Sequence, residues 1–229
     1  MNGVTFKPVA DFGLLINFAE ALSETAHASV LALDRALLAD LPEGVTELVP
    51  ALVNLLVVFD PLITDHASVQ IAVADRLAGS TKATTSGKTC RVDVCYDEAF
   101  APDLAEIAQV TGQTPEAVIN AHLAGEYSVL MFGFAPGYGY LGGVPEMIQV
   151  PRKLTAVPDV PAGSVMIAGP QCLITTLKMP TGWSIIGRSP TPILIPDSTN
   201  PILFGIGDRI VFNRISMGEF DAASKGQQT

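Results

Sequence analysis

The sequence predicts an α+β chain in two parts: a small N-terminal α+β sandwich over residues 1–84 and a β-barrel over residues 85–229. Three observations carry this. Strand-like and helix-like apolar runs follow one another up to about Leu77. A polar stretch without periodicity, AGSTKATTSGK, then occupies Ala78 to Lys88. Beyond residue 160 the chain becomes a series of short apolar runs separated by Pro and Gly. With 48% of 229 residues hydrophobic and only 16% charged, two cores can be built without covalent staples.

In order, Val4 to Phe18 carries two apolar runs around Asp11 and Gly13, which reads as an opening hairpin. From Ser23 to Asp40, Val30, Leu33 and Leu37 recur at helical spacing, with Ser23 as N-cap and Pro42 as the stop. His27, in the first turns, reads as a half-exposed helix histidine. Val45 to Val49 and Leu52 to Phe59 read as strands, the second apolar enough to be central in its sheet. A second helix follows from about Asp65 to Leu77, with Val69, Val73 and Leu77 on one face, so the first part resembles a split βαβ unit.

Beyond the polar connection, Thr89 to Cys95 alternates as a strand and leads to a helix with Leu104, Ile107 and Ala108 inward. Thr114, Pro115 and Glu116 supply a hydroxyl N-cap, a proline at N1 and an acid in the first turn of a helix ending at Gly125. Strand Tyr127 to Phe132 then enters GFAPGYGYLGG, Gly133 to Gly143. Five of its eleven positions are Gly, which predicts a shaped loop rather than a strand interior. Such a loop either brings bare N–H groups to a ligand between aromatic walls, or is a barrel corner where backbones pack closely. The remaining runs GSVMIAG, LITTL, WSIIG, ILIP, PILFGIG and DRIVF are expected barrel strands.

The net charge of −10 leaves no basic run to neutralise phosphates, which argues against nucleic-acid binding. No apolar run approaches the length a bilayer needs, and the N-terminus lacks the pattern of a secretory leader, so a cytoplasmic chain is expected. Cys90, Cys95 and Cys172 fit neither a disulfide framework nor a zinc site, and the three histidines share no ligand spacing, so no bound metal is expected. His122 lies in the last turn before Gly125, where the helix dipole favours an imidazolium. It either caps carbonyls or points to the glycine-rich segment. Arg188, in GWSIIGRSP, offers a fork for a carboxylate or phosphate, or bridges barrel loops.

The sequence resembles the KipI family, which includes the B-type component of bacterial ATP-dependent 5-oxoprolinase and allophanate hydrolase subunit 1. The likeness runs through Gly133, Phe134, Pro136, Gly137, Tyr140 to Gly143 and Pro145, then Pro151 and Arg152. It continues through Pro161, Gly163, Ser164, Ile167 to Gly169 and Gln171, then Gly182, Trp183, Ile186 to Arg188 and Pro190, and ends at Gly207 and Asp208. Val49, Pro50, Leu55 to Val57, Asp60 and Pro61 extend it more weakly into the first part.

The resemblance implies that the barrel is cyclophilin-like and that the chain is one subunit of an ATP-dependent amidohydrolase acting on 5-oxoproline or a similar cyclic amide or ureido acid. It implies a cleft shared with a homologous barrel subunit similar to allophanate hydrolase subunit 2, with ATP used by the complex and lactam activation supplied by a further subunit. On that basis the backbone N–H groups of Gly137 to Gly143 would hold an oxyanion, Arg188 or Arg152 the substrate carboxylate, and His122 would transfer protons. Tyr138, Tyr140, Gly142, Gly143, Gln171 and Trp183 would line the substrate site. Phe134, Tyr138, Tyr140, Leu141 and Val144 would form an apolar patch for the partner, with Tyr138 and Trp183 near the interface of a pair of heterodimers.

Two other readings follow from the same family: a regulatory protein that inhibits a sensor histidine kinase, and a carboxyltransferase-type subunit working with a biotinylated partner. This chain departs from the family where Tyr-Gly-Gly is Tyr96, Asp97, Glu98, where Gln-Thr-Gly-Ile-Tyr-Pro is Gln171 to Thr176, and where Ser-Pro-Gly-Gly-Trp is Met179 to Trp183.

Overall fold

The computed structural model describes residues 3–79, 87–195 and 199–226. The chain divides into two compact units, Met1–Ser86 and Gly87–Thr229. The boundary expected at 84/85, within the polar connection, lies outside the described residues.

In the first unit the hairpin forms as β1 (Thr5–Val9) and β2 (Gly13–Asn17). Helix α1 (Glu24–Ala39) starts where Ser23 accepts the Ala26 N–H at 3.2 Å. Strands β3 (Val45–Ala51) and β4 (Asn54–Phe59) and helix α2 (His66–Gly79) complete the unit. The sheet order is β1-β2-β4-β3 with every neighbouring pair antiparallel, so β4 is inserted between β2 and β3, which run parallel to each other across it. This is the split βαβ arrangement. In β4 only Leu55, Val57 and Phe59 are fully buried, with Leu14, Ile16, Val30, Leu33, Leu37, Val69 and Val73, because both helices cover a single sheet face. Each such side chain contributes about 1.5–3 kcal/mol. His27 departs from expectation: it is only 7% exposed, and its Nδ1 lies 2.8 Å from the Leu52 carbonyl in the β3–β4 turn.

The second unit begins with β5 (Thr89–Val94), α3 (Leu104–Thr111) and α4 (Pro115–Ala124), the last capped by Thr114, which accepts the Ala117 N–H at 3.1 Å. There follow β6 (Tyr127–Phe132), β7 (Gly139–Gly142), a 3-10 turn (Glu146–Ile148), β8 (Val157–Val160), β9 (Ser164–Ala168) and β10 (Gln171–Ile174). Strands β11 (Met179–Thr181), β12 (Ser184–Arg188) and β13 (Arg209–Arg214) and helix α5 (Met217–Gly226) end the unit. Seven strands form one sheet in the order β12-β9-β10-β7-β6-β13-β5, and β8 pairs with β11 as a separate ribbon. The sheet curls until its edges meet. Cys95, just past β5, and Arg188, at the end of β12, exchange both backbone hydrogen bonds, at 2.8 and 2.9 Å. The expected α+β chain with a barrel is the architecture observed.

Both faces of the barrel sheet are covered, which explains why β9 is apolar throughout. Val165 and Ile167 point into the interior with Val92, Leu141, Cys172 and Phe212, closed by α3 and α4. Met166 and Ala168 point outward and pack with Leu173, Met179, Trp183 and Ile185 beneath the ribbon. Two expected strands are absent among the described residues. ILIP and PILFGIG meet only through an isolated bridge between Leu194 and Ile202, since Pro192 and Pro201 lack the N–H a ladder requires. Helix α5 has Phe220 as its buried residue and therefore shows no apolar periodicity in the sequence.

Candidate functional site: an outer aromatic face and a seam groove

The glycine-rich segment is half loop and half strand. Its first part turns on itself: Gly133 N–H donates to the Tyr138 carbonyl, Ala135 to Gly133 and Tyr138 to Ala135. Phe134 holds φ at +73° with its ring 74% exposed, a conformation uncommon for a residue with a Cβ. The second part is β7, paired with β6 on one side and β10 on the other. The expected row of free N–H groups from Gly137 to Gly143 is therefore corrected: the peptides of β7 are drawn into the sheet.

Glycine is needed at Gly143 for close approach. With φ +109°, a Cβ there would sit 2.1 Å from the Glu126 carbonyl oxygen. Gly143→Ala should cost roughly 3 kcal/mol, because strain and clash add and the obstacle is backbone. A thermal denaturation midpoint within a degree of wild type would contradict this.

Strand alternation sorts the expected site residues. Leu141 and Cys172 face the barrel interior, so Tyr140, Gly142 and Gln171 occupy the outer face, where Tyr140 packs with Tyr138 and Trp183. The rings form a continuous row: Phe134 to Tyr138 at 5.4 Å, Tyr138 to Tyr140 at 5.7 Å and Tyr140 to Trp183 at 5.9 Å. At its end the exposed Arg152 guanidinium lies 5.4 Å over the Trp183 ring. Burial pushes the Tyr138 hydroxyl up to about 12, with Tyr140 adding and Arg152 opposing, so it stays a neutral donor at physiological pH.

The apolar patch expected for a partner needs correction. Tyr138, Leu141 and Val144 are at most 5% exposed, packed within this unit's own cores, and Trp183 is likewise buried. Of the five residues in the expected patch, Phe134 alone is strongly exposed, and Leu154, beside Arg152, stands fully in solvent.

Lys153, next to Arg152, is anchored by contacts that no local sequence pattern foretells. Its Nζ donates to both Asp103 carboxylate oxygens at 2.7 Å, its N–H donates to the Gly182 carbonyl, and Asp103 also accepts the Ile185 N–H at 2.6 Å. Asp103 is 8% exposed. The Arg152 segment is thus tied to the strand that follows Trp183 through a pair of residues 50 positions apart.

His122 lies inside the barrel, away from the aromatic face. It is 0% exposed, its Nδ1 is 2.7 Å from the Tyr96 hydroxyl, its Nε2 is 3.6 Å from Cys172 Sγ, and its ring packs 4.5 Å from Phe212. Hydroxyl and thiol can each donate or accept, so either neutral tautomer is satisfied. Burial lowers its pKa to about 3. The imidazolium expected from the helix dipole is overturned by desolvation, and no surface remains by which His122 could reach a substrate.

Arg188 stands apart from both. Its guanidinium lies 5.5 Å from the Phe100 ring and 6.0 Å from Phe220 of α5, and Nε donates to the Ala162 carbonyl at 3.3 Å. Along β12, Trp183 and Arg188 are separated by about 16 Å at Cα, so Arg152 and Arg188 cannot grip one small carboxylate together.

A cyclophilin-like barrel following a four-stranded split βαβ unit, with an aromatic row on the outer barrel face, defines a class that the sequence comparisons identify. The family described as carboxyltransferase domain, subdomain C and D, matches residues 4–204, and the chain belongs to it. It is 35% identical to the B-type component of the 5-oxoprolinase of Bacillus subtilis over 94% of this chain and 95% of that protein. Among solved structures it is similar to TTHA0988, with a TM-score of 0.80 and 32% identity over 90% of this chain; it spans 40% of that chain. It is also similar to the conserved uncharacterized protein PH0987 from Pyrococcus horikoshii, with a TM-score of 0.57 and 37% identity over 94% of this chain and all of that one. The relatives' name makes this chain a subunit-type component of a 5-oxoprolinase-like complex.

Proposed function

We propose that this chain is the B-type subunit of an ATP-dependent 5-oxoprolinase, in which water opens the lactam of 5-oxoproline to give glutamate while ATP is hydrolysed. The observation that carries this reading is the 35% identity sustained over 95% of the Bacillus subtilis relative, through both compact units rather than one. The outer aromatic face supplies one wall of a cleft, with Arg152 at its end. That face is open, which supports completion by a homologous barrel subunit. Phe134, held exposed at positive φ, is the contact such a partner would cover.

A nucleotide does not fit the glycine-rich segment. The N–H groups of Gly133, Ala135 and Tyr138 are bonded within the loop, and β7 is in the sheet, so no cradle of free N–H groups remains for phosphates. ATP and the activation of the lactam belong in this reading to the other subunits, and the complex works in the cytoplasm, where ATP is at hand. Among the described residues no helix is long and apolar enough to cross a membrane.

The test is reconstitution with the neighbouring subunits. The assembly should release glutamate from 5-oxoproline only with ATP and only when this chain is present, and Arg152→Gln should lower turnover at least tenfold. An assembly that is inert, or equally active without this chain, would sink the reading.

A further inference from the structure

The geometry points to the groove beside Arg188 as a binding site for a small monocarboxylic acid, which, resting on the function proposed above, is the subsite for the carboxylate of 5-oxoproline. The groove lies at the barrel seam, between the β12 end and α5. Its volume is about 280 Å³, and Arg188, Thr176, Ser189, Leu194 and Ser224 are among its lining residues. That size falls at the small end of ligand sites, enough for a cyclised amino acid and too small for a nucleotide.

Three observations make this more than a gap between loops. First, Arg188 is a partly buried cation with no carboxylate partner among the described residues of a chain carrying net charge −10, where seven other Lys or Arg residues do have acidic partners. A guanidinium removed from water without an anion is costly, and a bound carboxylate relieves that cost. Second, the fork is held in place. The Phe100 and Phe220 rings flank it and Nε is fixed on Ala162, which leaves the two terminal nitrogens without acceptors among the described residues. Bidentate recognition of a carboxylate needs such a pre-aimed pair of donors. Third, polar side chains are at hand. The Ser189 hydroxyl accepts the Thr191 N–H at 3.1 Å and keeps its proton for a ligand, and Ser224 brings a hydroxyl from α5.

The groove also touches the glycine-rich segment. The Thr176 hydroxyl donates to the Pro136 carbonyl at 2.7 Å, and a Cβ on Gly137 would sit 2.6 Å from Leu194 Cδ2. The loop that begins the aromatic row therefore abuts the groove wall. An acid seated on Arg188 would have its far end directed along this contact, while Arg152, about 16 Å away along β12, is left for another group or for the partner.

The experiment is a titration of the purified full chain with 5-oxoproline, followed by amide chemical shifts and calorimetry, with the 5-oxoproline methyl ester and inorganic phosphate as comparison probes. Binding is expected for the acid, at least tenfold weaker for the ester, and weaker for phosphate, with shifts at Thr176, Ser189 and Leu194. Arg188→Gln should weaken binding at least tenfold and Arg152→Gln should leave it unchanged. Leu194→Phe, which fills the groove without altering the guanidinium, should also abolish binding and serves if Arg188→Gln fails to fold. Absence of binding at millimolar acid, equal binding of the ester, or loss through Arg152→Gln instead would overturn the assignment. If Arg188-dependent binding holds but the reconstituted assembly does not turn over 5-oxoproline, the groove stands and the proposed function falls. If turnover proceeds with Arg188→Gln unimpaired, the reverse is true.

Discussion

Acidification is expected to unfold the barrel unit through a single buried imidazole. His122 is fully enclosed and its pKa is lowered by burial from 6.5 to about 3, so the native state refuses a proton that the unfolded chain accepts. A group whose folded pKa is depressed contributes stability above its unfolded pKa and loses it as pH falls towards the folded value. The loss therefore begins near pH 6.5 and runs to about pH 3, and it is of the order of 5 kcal/mol over that interval. Against a typical total of about 5–15 kcal/mol this is a large share. Urea denaturation from pH 8 to pH 4 should show stability falling below pH 6.5. Because exposed Asp65 and Glu219 also have lowered pKa values and lose stability at lower pH, the decisive readout is the His122 ring resonance. It should stay at its neutral position down to about pH 4 in the folded protein. A midpoint near 6 would show an accessible imidazole and revive His122 as a proton carrier.

Asp103→Ala should destabilise the same unit by about 3–5 kcal/mol, because it strands a partly buried ammonium and an N–H at once. Asp103 holds Lys153 Nζ with both carboxylate oxygens and also receives the Ile185 N–H, so its removal frees the Arg152 segment and the strand after Trp183 together. Replacing both partners, as Asp103→Leu with Lys153→Met, should recover part of the loss, since no charge is then left unpaired. Thermal denaturation of the two variants measures this, and Trp183 fluorescence reports the outer face, because Trp183 is the chain's only tryptophan. A single variant within about 1 kcal/mol of wild type would show that the pair is solvated after all.

The elements that depend on local chemistry are legible in the sequence. Ser23 and Thr114 announce their helices because a hydroxyl N-cap acts within three residues, and β4 announces its central place by its run of apolar side chains. The split βαβ unit follows from element order alone. What is not legible depends on side chains from distant segments. Gly139 and Gly142 look like loop because glycine is poor in strands, yet in β7 they make room for Phe204 and Leu130, whose atoms would lie 2.7 and 2.8 Å from added Cβ atoms. Tyr138 and Val144 look like interface because no local pattern shows that Trp183 and Ile148 would cover them from their own cores. Of the expected site residues, the sheet gathers Tyr138, Tyr140, Trp183 and Arg152 on one face, as short-range alternation allows. His122 and Arg188 join that group only through the family resemblance, and the sheet separates them: one inside the barrel, one at its seam.

That seam has a mechanical consequence. Elsewhere the barrel strands are joined by ladders of several residues, but β5 meets β12 through the single pair Cys95 and Arg188. A cylinder stitched by one pair opens there first, so the amides of Cys95 and Arg188 should exchange with deuterium well before those of β9 or β10. Because the side chain of that stitching residue also faces the groove, an acid bound to it would slow the exchange of both amides. Occupancy would then be recorded as a tightening of the whole barrel rather than as a movement of any loop.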